Sequence, residues 1–297
     1  MEAEAGHTVK MQRIPEVATQ TMIDEHEATG HAIFRSWSAH CRAAYGLTHR
    51  HLRQDHAGEI WPTVSSDFYY MQDEPKEEEI KPQPPPFLAV RDRWTKCGYA
   101  MALPSKVSSN PTTIRGFGQF LQGLGYLRIC NKSDGEYAIV ALKKAAAEYA
   151  KVDAQPEESP VGDHEANGEI ESFVRDIKRR QRAVRSTLET RLGFALEDDD
   201  PALAWTPLFC SSQMNRFKIL DDGRTADQRR TGKTWKKFSL LFGEQILYKA
   251  AGTTGRKNDA EQRMRYGRYV GHHNTHGSVF GPDARGRESR LFLLEAG

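Results

Sequence analysis

Residues 167–188 carry the strongest periodic signal in the chain. Ile170, Phe173, Val174, Ile177, Val184 and Leu188 fall close to the i, i+3, i+4, i+7 spacing of a helix with one buried face. Asn167-Gly168 reads as its start. A second stripe runs along another face: Arg175, Lys178, Arg182 and Arg185 lie 4, 7, 11 and 14 positions after Glu171, so one carboxylate heads a column of cations. That column suits a metal ion held beside a polyanion. It also describes a solvated charged face with one i, i+4 ion pair.

What lies upstream narrows the choice. Residues 57–71 read as a strand, with Val64, Phe68 and Tyr70 on one face and Asp67 interrupting an apolar and aromatic run. An acid is disfavoured in a strand and costly to bury unpaired, so Asp67 either ends the strand or serves a metal. Residues 72–86 are acid-rich and then proline-rich, and read as a loop or hairpin excursion. Two β-like stretches, 87–92 and 97–103, flank a turn, with Asp92 as a turn-capping acid. Ser108-Ser109-Asn110-Pro111 opens a helix over 111–124, and Gly125 stops it. A short strand over 126–130 follows, and 131–135 ends it. Asp134 therefore lies at a strand's C-terminal edge, before a helix at 136–150, where open α/β sheets carry their sites. The order strand, strand, strand, helix, strand, helix, gap, helix predicts an α/β layer with a mixed sheet.

Three acids stand out: Asp67, Asp134 and Glu171, the last two separated by 36 residues. If the first and fourth strands are neighbours and the late helix crosses their ends, the three carboxylates converge. They then repel unless a divalent cation neutralises them. Two Mg²⁺ ions in such a cluster activate an attacking oxygen and stabilise a leaving one in phosphoryl transfer.

Nearer the N-terminus, 1–22 lack sustained periodicity and read as a flexible leader, with no apolar segment of a secretory signal. Within 23–56, His26, His31, His40 and Cys41 crowd together. His26, His31 and Cys41, with His40 beside them, are candidate Zn²⁺ ligands. Ser38 stands where a C-x-x-C pair needs a second cysteine, and serine is a poor zinc ligand. The alternative is a small helical segment packed by Ile33, Phe34 and Trp37. The four cysteines are scattered and give no disulfide framework.

Beyond the long helix, 194–238 read as a helical and basic connector, with a helix near 201–218. The basic stretch 223–237 includes Lys233, Lys236 and Lys237, which can follow a DNA backbone or form an exposed loop. Gly232-Lys233-Thr234 is no phosphate loop, because Asp227 stands where the upstream glycine belongs. Residues 239–297 hold short strand-like pieces separated by turns and predict a small β-rich domain. His272, His273 and His276 read as a loop beside a hairpin. The net charge of +2 excludes a uniformly basic protein, but acids at 77–79 and 198–200 offset basic blocks at 178–185 and 224–237. No run approaches the length of a membrane span.

These motifs resemble the integrase region of long-terminal-repeat retrotransposons, closest to the copia-like type, over about residues 23–290. SSDFYYM resembles the first catalytic strand, KSDGEYAI the second-aspartate motif, and SPVGDHEANGEIESFVRDIKRR the Asn-Gly-x-x-Glu catalytic helix. The D,D-35-E spacing is matched within one residue. HEATGHAIFRSWSAHC resembles a worn HHCC zinc module at 23–56, departing at Ser38 and in a His26–His31 spacing one residue longer. DGRTADQRRTGKTWKKFSLLFGEQILYK resembles the segment after the core. The resemblance implies an RNase H-like core at 57–193 and Asp67, Asp134 and Glu171 as ligands of Mg²⁺ or Mn²⁺ for end processing and strand transfer. It implies DNA contacts at Arg175 and Lys178, a homo-oligomer, action in the nucleus, and a polyprotein fragment, processed product or domesticated copy. An RNase H-like nuclease that only hydrolyses, and a catalytically silent DNA-binding descendant, are the competing expectations.

Overall fold

The computed structural model describes residues 18–45, 61–71, 85–106, 109–158, 168–198, 200–236, 239–248, 265–271, 278–279 and 292–293. Five strands form the central sheet: Thr63–Tyr69 (β1), Phe87–Asp92 (β2), Gly98–Ala102 (β3), Arg128–Ser133 (β4) and Asp153–Glu158 (β5). Their order is β3-β2-β1-β4-β5. β1, β2 and β3 pair antiparallel, while β4 runs parallel to both β1 and β5. This is the mixed RNase H-like sheet, and the first and fourth strands are adjacent, the condition for the acids to converge.

Period-two alternation distributes side chains between two cores. Val64, Leu88, Val90 and Tyr99 face one side, with Phe117 and Leu121 of Pro111–Leu124 (α3) and Ile139 and Leu142 of Tyr137–Ala150 (α4). Tyr69, Phe87, Ala89 and Ala100 face the other, under Ile170, Phe173, Ile177, Val184 and Leu188 of Gly168–Leu192 (α5). The helix boundaries follow local chemistry. The Asn110 side chain accepts from Thr112 N and Thr113 N, Pro111 opens α3, and Gly125 ends it at φ 76°. Asp92 Oδ2 accepts from Thr95 N at 2.9 Å and from Tyr126 Oη at 2.9 Å, the capping role expected of it.

Gly98 lets α5 reach the sheet, since a Cβ there would meet the Phe173 ring at 2.3 Å. The edge strand β3 is covered by Thr206–Phe217 (α6). Asn215 accepts from Gly98 N at 2.8 Å and donates to Gly98 O at 2.7 Å, and Ser211 Oγ accepts from Ala100 N. The opposite edge, β5, carries Pro156 and acids, both of which blunt edge pairing.

Two details differ from the sequence reading. The fourth strand runs over 128–133 rather than 126–130; Leu127 is 88% exposed, so the apolar start of that run is not the strand. The stretch left as a gap contains β5, whose acids and proline hide it from any propensity pattern.

The N-terminal module has two helices, Gln20–Ala28 (α1) and Ala39–Tyr45 (α2). α1 starts inside the stretch read as leader, capped by Thr19. Beyond α6, a short helix, Ala226–Thr231 (α7), opens with a capping box at Thr225. Gln245–Tyr248 (β6) pairs with Arg265–Arg268 (β7), and Ser278–Val279 (β8) with Phe292–Leu293 (β9), all antiparallel. The readings of 72–84, Asn167, Lys237, His272, His273 and His276 lie outside the described residues. Among the described residues no helix is long and apolar enough to cross a membrane.

Candidate active site and a histidine–cysteine cluster

The acid site is built by strand register. β1 and β4 pair through Thr63↔Cys130, Val64↔Asn131 and Ser65↔Lys132; the same register, continued by two residues, sets Asp67 beside Asp134. Asp67 shares its sheet face with Tyr69, whose hydroxyl donates to Gln181 Oε1 of α5 at 2.8 Å. That face lies under α5, whose first turn carries Glu171.

Electrostatics tie the acids together. Burial, then Asp134, with smaller contributions from Glu136 and Glu171, pushes the Asp67 carboxyl up to about 7, against a weaker opposing bond from Phe68 N. The three acids do not form a set gathered within 4.8 Å among the described residues; Asp134 and, more weakly, Glu171 both act on the Asp67 carboxyl. Oxygen-only donors with surplus negative charge fit a hard divalent cation such as Mg²⁺ or Mn²⁺.

The first turn of α5 sorts its two acids. Glu169 is held by Lys96 at 2.8 Å and Arg91 at 3.4 Å. Burial opposes its charge, but Lys96 and Arg91 keep the carboxyl below its ordinary range. Glu171 is exposed and makes no ion pair among the described residues. Sequence reasoning missed two neighbours. Glu136, two positions after Asp134, pairs with Lys106 at 3.0 Å, and Lys106 Nζ lies 5.4 Å from the ring centres of both Phe68 and Tyr70. The signal for Glu136 was its place in the second-aspartate motif; Lys106, on a loop after β3, had none.

The basic stripe of α5 divides. Arg175 and Arg182 are exposed and Lys178 is half-buried. Arg185 is bound to Glu189 at 2.8 Å, to Asp198 at 2.6 Å and to the Leu196 carbonyl, so it staples the helix end to the following loop. Within the basic block 178–185, Arg180 is buried at 2% exposure. In the connector, Lys233 and Lys236 are exposed. Trp235 lies under the Arg216 guanidinium at 3.9 Å.

The N-terminal module gathers His26, His31 and Cys41, all buried, with ligand atoms within 4.8 Å of one another. His26 Nε2 lies 3.0 Å from Cys41 Sγ and 3.1 Å from His31 Nδ1, and His31 Nδ1 lies 3.4 Å from Cys41 Sγ. Two imidazoles and a thiol at these separations fit three corners of a zinc tetrahedron. The fourth corner has no ligand from Ser38, whose Oγ accepts from Cys41 N and caps α2. Burial lowers the His31 imidazole to about 3 and the His26 imidazole to about 4, favouring the neutral form that ligates metal. His31 adopts a left-handed φ of 55°, following Gly30 at 62°. His40 stands apart: its Nδ1 lies 2.8 Å from Ser186 Oγ on α5. Ile33 and Phe34, the alternative packing residues, are 37% and 47% exposed, so the module's centre is the polar cluster.

The cluster is fastened to α5 itself. Arg180 donates to the His31 and Ala32 carbonyls, and His31 Nε2 lies 3.2 Å from Thr187 Oγ1. Gln213 of α6 adds a bond to Ala28 O at 2.8 Å. One helix thus carries Glu171 at its start and the histidine–cysteine module along its second half.

No protein-family model matches the sequence, and no curated protein matches it. Among solved structures, the chain is similar to the HTLV-2 integrase catalytic core domain in complex with magnesium, at 15% identity, 58% of this chain, 98% of that one and a TM-score of 0.38. It is similar to the catalytic core domain of BIV integrase, at 12% identity, 57% and 93% coverage and a TM-score of 0.38. It is also similar to a chain of the simian T-cell lymphotropic virus intasome in complex with a PP2A regulatory subunit, at 11% identity, 82% and 80% coverage and a TM-score of 0.41. At these identities and TM-scores the similarities assign no residue a role.

Proposed function

We propose that the protein is a retrotransposon-type integrase, a divalent-metal-dependent polynucleotidyl transferase that processes DNA ends and joins them to target DNA. The observation that carries this reading is the concentration of carboxylates at the C-terminal ends of two parallel strands, felt by Asp67, beside a helix whose cations continue from Glu171. Asp67, Asp134 and Glu171 would hold Mg²⁺ or Mn²⁺, which supplies activation of the attacking oxygen and stabilisation of the leaving one. Arg175, Lys178 and Arg182 bind backbone phosphates and hold the strand in register with the acids. Lys106, paired with Glu136, brings a further cation to the same group of carboxylates. On this reading the partners are donor DNA ends, target DNA and further copies of the chain.

The test is joining of a labelled oligonucleotide end to a plasmid in Mg²⁺ or Mn²⁺, run with wild type and Glu171→Gln. Metal-dependent joining lost in the variant supports the transferase. Cleavage without joining identifies a nuclease. No activity from folded protein identifies a DNA-binding descendant that has lost its chemistry.

A further inference from the structure

Trp94 lies on the turn after β2, two positions beyond Asp92, and is 48% exposed. Beside it is Tyr126, edge-on with ring centres 6.3 Å apart and planes at 80°, so Tyr126 does not cover the indole face. Tyr126 is itself fixed, because its hydroxyl donates to the fully buried Asp92. Together with the connector around α7 these rings line an open groove of about 460 Å³, within the range of small-ligand sites.

The groove wall carries three guanidiniums, Arg224, Arg229 and Arg230, against one carboxylate, Asp222. Asp222 holds Arg224 Nε at 2.8 Å and Arg229 Nε at 3.1 Å, and these arginines keep its carboxyl ionised well below the usual range. Arg230 is braced by Asp227 at 2.7 Å and by the Gly123 carbonyl at 3.0 Å. Nη1 and Nη2 of Arg224 have no partner among the described residues, and its side chain is 63% exposed. Arg229 Nη1 also lies 3.5 Å from the Trp94 carbonyl, so the protein orients all three cations, and Arg224 retains donors for an anion.

The groove is not the acid site. Asp92 pairs with Val64 and Tyr126 precedes β4, so both rings lie off the N-terminal ends of β1 and β4. Asp67 and Asp134 lie at the opposite ends, roughly four residues or about 13 Å along the sheet.

We propose that this groove binds a single-stranded nucleic acid segment, with a base stacked on Trp94 and its phosphates on Arg224 and Arg229. An open aromatic face takes a base only when that base is unpaired, and oriented guanidiniums next to it take the backbone. The proposal goes beyond the acid-site reading and does not require cleavage.

The test is fluorescence anisotropy of a labelled twelve-residue oligo(dT) with the full chain in EDTA, in an Arg175→Ala/Arg182→Ala background that weakens the α5 stripe. Trp94→Ala is expected to weaken binding about tenfold, as for loss of one stacked base, with Trp94→Phe retaining most of it. Arg224→Glu is expected to weaken binding and to lower the salt slope by about one. Arg224 is exposed, so that arm stands even if a Trp94 variant fails to fold. Absence of oligo(dT) binding, or binding unchanged in Trp94→Ala and Arg224→Glu, overturns the proposal. So does equal competition by duplex DNA or by poly-glutamate, which would assign the groove to a duplex or an acidic peptide. Loss of joining activity is read separately, in Mg²⁺.

Discussion

α5 carries two potential metal centres that differ in almost every physical respect. At its start the acids share a partly exposed edge, and burial, followed by repulsion from Asp134, lifts the Asp67 carboxyl to about 7. Along its second half, His26, His31 and Cys41 are buried and within 4.8 Å of each other before any ion is considered. The first arrangement stores charge that a cation and a phosphate chain can relieve, as chemistry at a site requires. The second is assembled by packing and by Arg180, as a structural site requires. The difference teaches that the module's attachment and the acid site's chemistry are separable, although one helix serves both.

The largest expected effect breaks only the first centre. Glu171→Gln should reduce joining about 10²–10³-fold or more, while its exposure keeps thermal stability within about 0.5 kcal/mol of wild type, read by calorimetry. Arg180→Ala should do the reverse. It leaves the buried His31 and Ala32 carbonyls without donors and should cost about 2–3 kcal/mol in denaturant unfolding. Zn²⁺ at a hundredfold excess over its dissociation constant should stabilise wild type by about 2.7 kcal/mol, read as a rise in melting temperature, and should not stabilise His31→Ala.

pH sharpens the contrast. The folded imidazoles of His26 and His31 titrate near 4 and 3, below the ordinary 6.5, so the unfolded chain takes up protons first. Their contribution to stability without metal should be level above pH 6.5 and fall progressively as pH drops from 6.5 toward 3, opposed between about pH 4 and 7 by Asp67, whose carboxyl is raised to about 7, as unfolding curves at stepped pH will show. The smallest effect separates the cations of α5. Arg182→Ala should lower the salt slope of DNA binding by about one, whereas Arg185→Ala should leave it unchanged, because Arg185 is already held by Glu189 and Asp198.

Much of the frame was legible because local rules and tertiary packing agree. The α5 apolar stripe, the Asn110-Pro111 helix start, the Gly125 stop and the Asp92 turn all follow from short-range chemistry. β5 was illegible because an edge strand with acids and a proline needs no apolar face. The burial of Arg180 was illegible because a helical arginine beside Lys178, Arg179 and Arg182 looks solvated, whereas it binds the carbonyls of a distant module. The three proposed metal ligands, Asp67, Asp134 and Glu171, were picked out by motif and spacing. Lys106 was not, because its proximity is created by the sheet. In the N-terminal module the ligand set was visible as composition, but its seat on Thr187 and Ser186 was not.

The most direct test of the account is anomalous diffraction from crystals soaked in Mn²⁺ and Zn²⁺ together. The account predicts that the metals sort by donor. A manganese peak should lie about 2.1 Å from carboxylate oxygens of Asp67 and Asp134, within reach of Glu171, and a zinc peak between His26, His31 and Cys41. Manganese absent from the acids, with zinc alone bound at the histidines and cysteine, would contradict it and leave the protein a metal-stapled fold without a catalytic centre.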